Sequence, residues 1–149
     1  MTHRCAVAVA CALLLAGPSA AQSLASCDAS VSFVDFGRVD FRRGGEITGE
    51  VAVRCPRPDR FFLALSEGLG DFGMRRMRGP GGAELKYNLY LDPARRQVWG
   101  DGVSGGTARL AGQSDGRRAA IFTVYGRVPP GQSAPPGAYG DALAITFEP

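Results

Sequence analysis

The sequence predicts an all-β fold, a β-sandwich of immunoglobulin-like type with one disulfide. Short segments in which every second side chain is apolar recur along the chain, as half-buried strands require. The 21 glycines and 10 prolines lie between these segments as turn signals, and long helical periodicity is missing. Six or seven such strands in about 125 residues fit one sandwich without a second domain.

The chain begins with the pattern of a secretory signal peptide. A positive start is followed by an apolar run over residues 5–17, and small residues precede Gln22. The apolar run is too short to span a bilayer. We therefore expect residues 1–21 to be removed and residues 22–149 to form one exported, soluble domain.

Loss of the leader simplifies the cysteine chemistry. His3, Cys5 and Cys11 would leave with it, so that Cys27 and Cys55 remain. In an oxidising compartment an isolated pair of cysteines predicts a disulfide, which contributes about 3 to 4 kcal/mol in the chain-entropy model. Two free thiols are the alternative.

The charge balance argues against an obligatory nucleic-acid partner. The chain has 17 basic and 14 acidic side chains, a formal net charge of +3 that falls to +2 without Arg4. Most arginines are scattered along the sequence, and we interpret their number as a consequence of genome composition. The one cluster, Arg75, Arg76 and Arg78, predicts a solvated Gly-rich loop, with a carboxylate or phosphate contact as the alternative.

The predicted strands follow one another between the turn signals. In chain order they span residues 31–36, 47–55, 60–65, 84–91, 120–128 and 139–147. From the second to the fifth strand, the apolar side chains that share one face are Val51, Val53 and Cys55, then Phe61, Leu63 and Leu65, then Leu85, Tyr87, Leu89 and Leu91, then Phe122, Val124 and Val128.

The last predicted strand has a regular alternation of its own. Leu143, Ile145 and Phe147 alternate with small or polar residues. A strand needs a neighbour for its backbone N–H and C=O groups. A proline-rich loop joins it to the strand before, so both strands are expected in one core.

No motif predicts catalysis, a cofactor or a metal. The stretch 68–73 matches G-x-G-x-x-G, but no helix for a pyrophosphate follows it, so a Gly-rich turn is favoured. Ser104 would need an imidazole as general base, and the mature chain has none. Zinc ligands are missing, and calcium at Asp92, Asp101 or Asp115 has no supporting spacing. We therefore expect a protein that is not an enzyme.

Two stretches resemble the signatures of one family. The central stretch holds Arg76 and Met77, then Leu85-x-Tyr87-Asn88-Leu89-Tyr90-x-Asp92, then Trp99-Gly100-Asp101-Gly102. The C-terminal stretch holds Tyr125-Gly126-Arg127-Val128-Pro129, then Gly137-x-Tyr139-x-Asp141. With Cys27 and Cys55, these motifs are similar to the spore coat protein U domain family, which includes subunits of archaic chaperone–usher pili.

The resemblance implies a sandwich that lacks its final strand. A hydrophobic groove would lie beside the last strand, and Leu143, Ile145 and Phe147 would help to line it. The implied partners are a periplasmic pilus chaperone, an outer-membrane usher and the donor strand of a neighbouring pilin. The implied role is structural, in a secreted surface assembly that serves adhesion or biofilm formation.

One feature departs from the family pattern. A polymerising subunit carries its donor segment before the first cysteine, whereas only residues 22–26 separate the expected cleavage site from Cys27. Five residues span at most about 17 Å. We therefore expect this domain to receive a strand without giving one, at the end of a fibre or in a coat that does not polymerise. A self-complete exported sandwich that binds through its loops is the alternative.

Overall fold

The computed structural model describes residues 27–31 and 35–148, so the expected signal peptide lies outside it. The described residues form eight strands and two short 3-10 turns, Pro80–Gly82 and Ser104–Gly106. The strands are β1 Asp28–Val31, β2 Gly45–Arg54, β3 Pro58–Leu65, β4 Arg75–Arg78, β5 Glu84–Tyr90, β6 Leu110–Asp115, β7 Ala120–Val128 and β8 Ile145–Glu148. No helix among them has the length and apolar character needed to cross a membrane.

The strands form two antiparallel sheets. One sheet has five strands in the order β1-β2-β7-β5-β4, and the other has three in the order β6-β3-β8. Asp28 of β1 pairs with Arg54 of β2, and the disulfide between Cys27 and Cys55 closes the same end of this pair. The predicted all-β fold and the predicted disulfide are therefore confirmed.

The core lies between the two sheets. Val51, Val53 and Val124 face inward from the five-stranded sheet and are fully buried. Phe61 faces them from β3, and its ring contacts that of Phe122 at a centroid distance of 5.8 Å. Each buried side chain of this size contributes about 1.5 to 3 kcal/mol relative to exposure, so the alternation seen in the sequence also provides the stability of the sandwich.

The first predicted strand, 31–36, is only partly covered by the described residues. Strand β1 ends at Val31, residues 32–34 are outside the described part, and Phe36 belongs to no strand. At Asp35 the side-chain carboxylate accepts a hydrogen bond from the backbone N–H of Gly37 (2.7 Å), a contact typical of turns.

Two strands were not predicted. The expected loop at Arg75, Arg76 and Arg78 is strand β4, which pairs with β5 and buries Arg75 and Met77. Strand β6 lacks a regular apolar alternation because Gly112 occupies one of its inward positions. A Cβ there would lie 2.5 Å from ring atoms of both Phe61 and Phe122, so the neighbouring rings fill the space that a side chain would occupy.

The last predicted strand is shorter than the segment 139–147. Gly140 forms an isolated bridge with Arg78 at the edge of the five-stranded sheet, whereas β8 pairs with Phe62–Leu65 of β3 in the other sheet. Between these points the chain turns at Asp141, whose carboxylate accepts the backbone N–H of Ala142 (2.8 Å). The segment thus changes sheets, and the predicted strand was too long.

Candidate functional site

Strand β8 has a free edge. It ends the order of the three-stranded sheet, and the described residues place no strand and no backbone hydrogen bond on the side away from β3. A strand with one unpaired edge presents N–H and C=O groups to an additional strand. This edge is the candidate site.

The side chains along this segment alternate as the sequence predicted. Leu143, Ile145 and Phe147 are half-buried, whereas Ala142, Ala144 and Thr146 are exposed. Leu143 and Ile145 line one cavity. Phe147 lies outside its lining and packs on Phe61 instead, with ring centroids 5.5 Å apart.

The cavity beside β8 is large and mainly apolar. Its volume is about 510 Å³. Besides residues 139–143 and 145, its walls come from both sheets and their connections: Phe36, Leu65, Met77, Tyr87, Leu89 and Trp99. A folded interior is normally packed at the density of an organic crystal, so an opening of this size between two sheets marks a place where the core is incomplete.

A polar pair forms one wall of the cavity. The hydroxyl of Tyr87 donates a hydrogen bond to Oδ2 of Asp141 (2.6 Å), and Oδ1 accepts the backbone N–H of Leu69 (3.2 Å). Burial, followed by the hydrogen bond to Asp141, raises the pKa of Tyr87 above its usual range. The pair fixes the turn that carries the chain from one sheet to the other.

Behind this wall the guanidinium of Arg75 is completely buried. Its Nε and Nη2 donate to the carbonyl of Ser66 (3.1 and 2.7 Å), Nη2 also donates to that of Trp99 (2.7 Å), and Nη1 donates to Oδ1 of Asn88 (2.6 Å). Burial lowers the pKa of Arg75, and the nearby Tyr87 and Asp141 oppose that effect. One cation thus ties three segments around the cavity.

The buried position of Arg75 was not predicted from the sequence. The prediction of a solvated loop was wrong for it, whereas Arg76 makes the carboxylate contact that was the alternative, with Glu84 (2.8 Å). The signal that could have revealed Arg75 was its spacing of two residues from Met77, which places both on one face of a strand.

Asn88 and Trp99 connect the same region to the backbone. The Asn88 side chain donates to the carbonyl of Phe72 (2.9 Å) and accepts the N–H of Leu89 (2.9 Å). The indole of Trp99 is buried and donates to the carbonyl of Leu63 (2.8 Å). These two motif residues hold the loop 66–74 and strand β3 against the cavity.

Two motif aspartates hold turns instead. Asp92 accepts the backbone N–H groups of Arg96 and Gln97, and these bonds lower its pKa. Asp101 accepts the Ser104 hydroxyl (2.7 Å) and the N–H groups of Ser104 and Val103, which lower its pKa further.

The motif glycines lie where a side chain has no room. A Cβ at Gly126 would lie 2.7 Å from the ring of Phe36, one at Gly100 would lie 2.6 Å from Thr107, and one at Gly137 would lie 2.3 Å from Pro80. Gly102 in addition has a φ of +75°, a left-handed conformation that favours glycine.

The remaining motif tyrosines pack at the surface of the sandwich. Tyr139 contacts Phe41 edge-to-face at 5.5 Å, and Tyr90 lies opposite Tyr125 between β5 and β7. The Tyr125 ring lies 5.9 Å from the guanidinium of Arg95.

The other sequence candidates do not assemble into a chemical site. The stretch 68–73 leads into β4 rather than into a helix. In the part of the chain that the structure describes, no three His, Cys, Asp or Glu side chains come together as ligands for a metal ion.

Comparison with known proteins places this geometry in context. Protein U of Myxococcus xanthus is 33% identical over 108 residues, which are 67% of this chain and 58% of that protein. One chain in the crystal structure of the CsuC-CsuE chaperone-tip adhesion subunit pre-assembly complex, from archaic chaperone-usher Csu pili of Acinetobacter baumannii, has the same fold. The TM-score is 0.62 at 19% identity, over 83% of this chain and 39% of that one.

The chain therefore spans little more than half of the length of Protein U. The model of the Spore Coat Protein U domain matches residues 12–146. This chain belongs to the Spore Coat Protein U domain family.

Proposed function

We propose that this domain is an exported structural subunit of a chaperone–usher pilus or a related surface assembly. In this proposal the free edge of β8 receives a strand from another polypeptide. The observation that carries it is the cavity of about 510 Å³ directly beside that edge. An apolar cavity under an unpaired strand is a liability for a protein that acts alone.

The receiving surface consists of backbone and side chains in one register. A strand added along β8 would complete the three-stranded sheet through main-chain hydrogen bonds, and its alternate side chains would enter the cavity lined by Leu143 and Ile145. Phe147 would support the donor from the β3 side, where it packs on Phe61.

The proposed partners follow from this geometry and from the family. A periplasmic chaperone would occupy the edge first, and a neighbouring pilin would replace it at an outer-membrane usher. Signal cleavage before Gln22 would direct the chain to the periplasm and then to the cell surface, where we propose a role in adhesion or biofilm formation.

We also propose a place at the end of the fibre. It rests on the predicted cleavage site, which would leave five residues before Cys27. N-terminal sequencing of the exported chain tests this proposal, because a mature chain with a longer apolar segment before Cys27 could donate a strand.

Thermal unfolding tests strand acceptance. The exported chain is measured alone, with a synthetic N-terminal extension peptide of a pilin from the same organism, and with a scrambled peptide. We expect the native peptide to raise Tm by about 10 °C or more, since a ligand of the native state alone stabilises it. A chain that is stable alone and indifferent to both peptides would instead be a self-complete binding module.

Adjacent substitutions localise the site. Ile145→Asp places a charge in the cavity wall, whereas Thr146→Asp places the same charge on the exposed side of β8. We expect the first variant to be lost from co-purification with the chaperone and the second to be retained. Equal recovery of the two variants would refute the assignment of β8.

A further inference from the structure

Five arginines that are far apart in the sequence meet at one end of the sandwich. Arg54 ends β2, Arg57 lies in the turn that follows, and Arg60 is near the start of β3. Arg117 and Arg118 occupy the turn between β6 and β7. We call these five residues the arginine pole.

The strand pairing brings the two turns together. Pro58 pairs with Asp115 across β3 and β6, and Val53 pairs with Ala120 across β2 and β7. A Cβ on Gly116 would lie 2.8 Å from the backbone carbon of Arg57, so the turns are in direct contact. The pole includes both layers of the sandwich, whose sheets are about 10 Å apart.

The arginine side chains are available for binding. All five residues are exposed, and none takes part in an ion pair of the described residues. Three carboxylates lie nearby: Asp115 accepts the N–H groups of Arg117 and Arg118, Asp59 accepts that of Arg60, and Asp28 lies opposite Arg54 across β1 and β2. These bonds shape the turns, and five guanidinium groups beside three carboxylates leave the pole with a net positive charge.

The pole is also rigid. The disulfide between Cys27 and Cys55 closes one of its sides, and Pro58 restricts the turn after β2. Gly116 has a φ of +74° and permits the tight turn after β6. Charged groups on a fixed scaffold lose less conformational entropy on binding.

We propose that the arginine pole binds an acidic polysaccharide. Guanidinium groups form paired hydrogen bonds with carboxylate or sulfate groups. Five such groups spread over two layers fit a polymer with repeated anionic charges better than one small anion. This interaction uses a different surface from strand acceptance, because β8 pairs with Phe62–Leu65 of β3, whereas the two turns of the pole meet beyond the other end of β3, at Pro58.

Two other anionic partners fit less well. Insertion into a lipid surface uses exposed large apolar side chains, and neither turn carries one; Ile121 projects from the face of β7 instead. Single-stranded nucleic acid is held by aromatic stacking, and the turns have no aromatic residue.

The test compares binding of the full exported chain to polygalacturonate, dextran sulfate, neutral dextran, duplex DNA and phosphatidylglycerol vesicles. We expect binding to the first two polymers that weakens with added salt, and none to neutral dextran. Tighter binding to DNA or to vesicles would overturn the assignment, as would failure to bind both acidic polysaccharides.

A matched pair of triple variants locates the binding. One replaces Arg57, Arg117 and Arg118 with Glu, and the control replaces Arg38, Arg42 and Arg43 with Glu. The control residues precede β2, whose ten residues span about 30 Å, and the pole lies at the far end of that strand. We expect Kd to rise about tenfold or more in the first and less than about twofold in the control. An equal rise in Kd in the two variants would mean that binding depends on net charge alone and would refute the arginine pole as the binding site.

If the Glu variant does not fold, replacement of the same three arginines with Gln serves instead. It removes three positive charges without adding negative ones, so a smaller rise in Kd is expected and an unchanged Kd again refutes the proposal. Circular dichroism and Tm verify the fold of each variant.

Discussion

Arg75 and Asp101 bind neighbouring parts of the chain in opposite surroundings. Arg75 reaches the carbonyl of Trp99 from the interior, where it is completely buried. Asp101 is at the surface and gathers the hydroxyl and N–H groups of the turn that follows. Both charges are satisfied mainly by uncharged partners. The comparison predicts that burial, rather than the number of hydrogen bonds, decides how costly the loss of a charge is.

The interior side of this comparison predicts the largest effect. Arg75→Met leaves the carbonyls of Ser66 and Trp99 without this donor, and Oδ1 of Asn88 keeps only the N–H of Leu89. We expect the free energy of unfolding to fall by about 3 to 5 kcal/mol, because unsatisfied buried groups retain their full desolvation cost. Urea denaturation of the purified chain measures it.

Arg76→Met is the matched control, one residue away on the same strand. Its ion pair with Glu84 is partly exposed, with 42% and 44% of the two side chains accessible, so a loss below about 1 kcal/mol is expected. Similar losses in the two variants would show that Arg75 is not the anchor of this region.

Loss of the hydrogen bond between Tyr87 and Asp141 should have an effect between those of Arg75→Met and Arg76→Met. Tyr87→Phe removes the donor to Asp141, which still accepts the N–H groups of Leu69 and Ala142. We expect a loss of about 1 to 2 kcal/mol at neutral pH. No change in unfolding free energy would mean that the hydroxyl only replaces a water contact.

The same variant predicts a difference at alkaline pH. The pKa of Tyr87 is raised by burial and by Asp141, so the folded state favours the neutral phenol. Its contribution to stability is present below the unfolded pKa of about 10 and is lost as the pH rises above that value. The free energy of unfolding, measured from pH 8 to 11, should therefore fall more steeply with pH for the wild type than for Tyr87→Phe. An equal pH dependence in the two proteins would contradict this prediction.

Strands whose apolar side chains alternate regularly were predicted from the sequence, whereas strands that interrupt this alternation were missed. The inward faces of β2, β3, β5 and β7 were read correctly because apolar side chains occupy every second position. Strand β4 was missed because its inward residue is Arg75, and β6 because Gly112 leaves space for neighbouring rings. A rule based on hydrophobicity cannot identify a buried cation whose partners are carbonyl groups of distant segments.

The candidate site was partly accessible to the same reasoning. The alternation of Leu143, Ile145 and Phe147 was predicted, but the turn at Asp141 that divides the segment between two sheets was not. The arginine pole was missed for a related reason. Arg57 and Arg117 are 60 residues apart in the sequence, and only the pairing of β3 with β6 brings their turns together.

Asp101, the exposed charge of the comparison, should give the smallest effect, and that effect should depend on pH. The Ser104 hydroxyl, followed by the backbone N–H groups of Ser104 and Val103, holds the pKa of Asp101 below its usual range. The folded state therefore favours the ionised form, and this stability is present above the unfolded pKa of about 3.9 and lost as the pH falls below it.

Asp101→Asn should have a lower Tm than the wild type at pH 7, and the difference should narrow by pH 3, where the wild-type carboxylate loses part of its advantage. Asp59→Asn is the control, since Asp59 accepts one backbone N–H, from Arg60, and little change in Tm is expected at either pH. A Tm difference for Asp101→Asn that stays constant from pH 7 to pH 3 would show that the geometry of the turn, rather than the charge of Asp101, stabilises it. In that case Asp101 would stabilise the protein through the geometry of its turn, whereas Arg75 would do so through its buried charge.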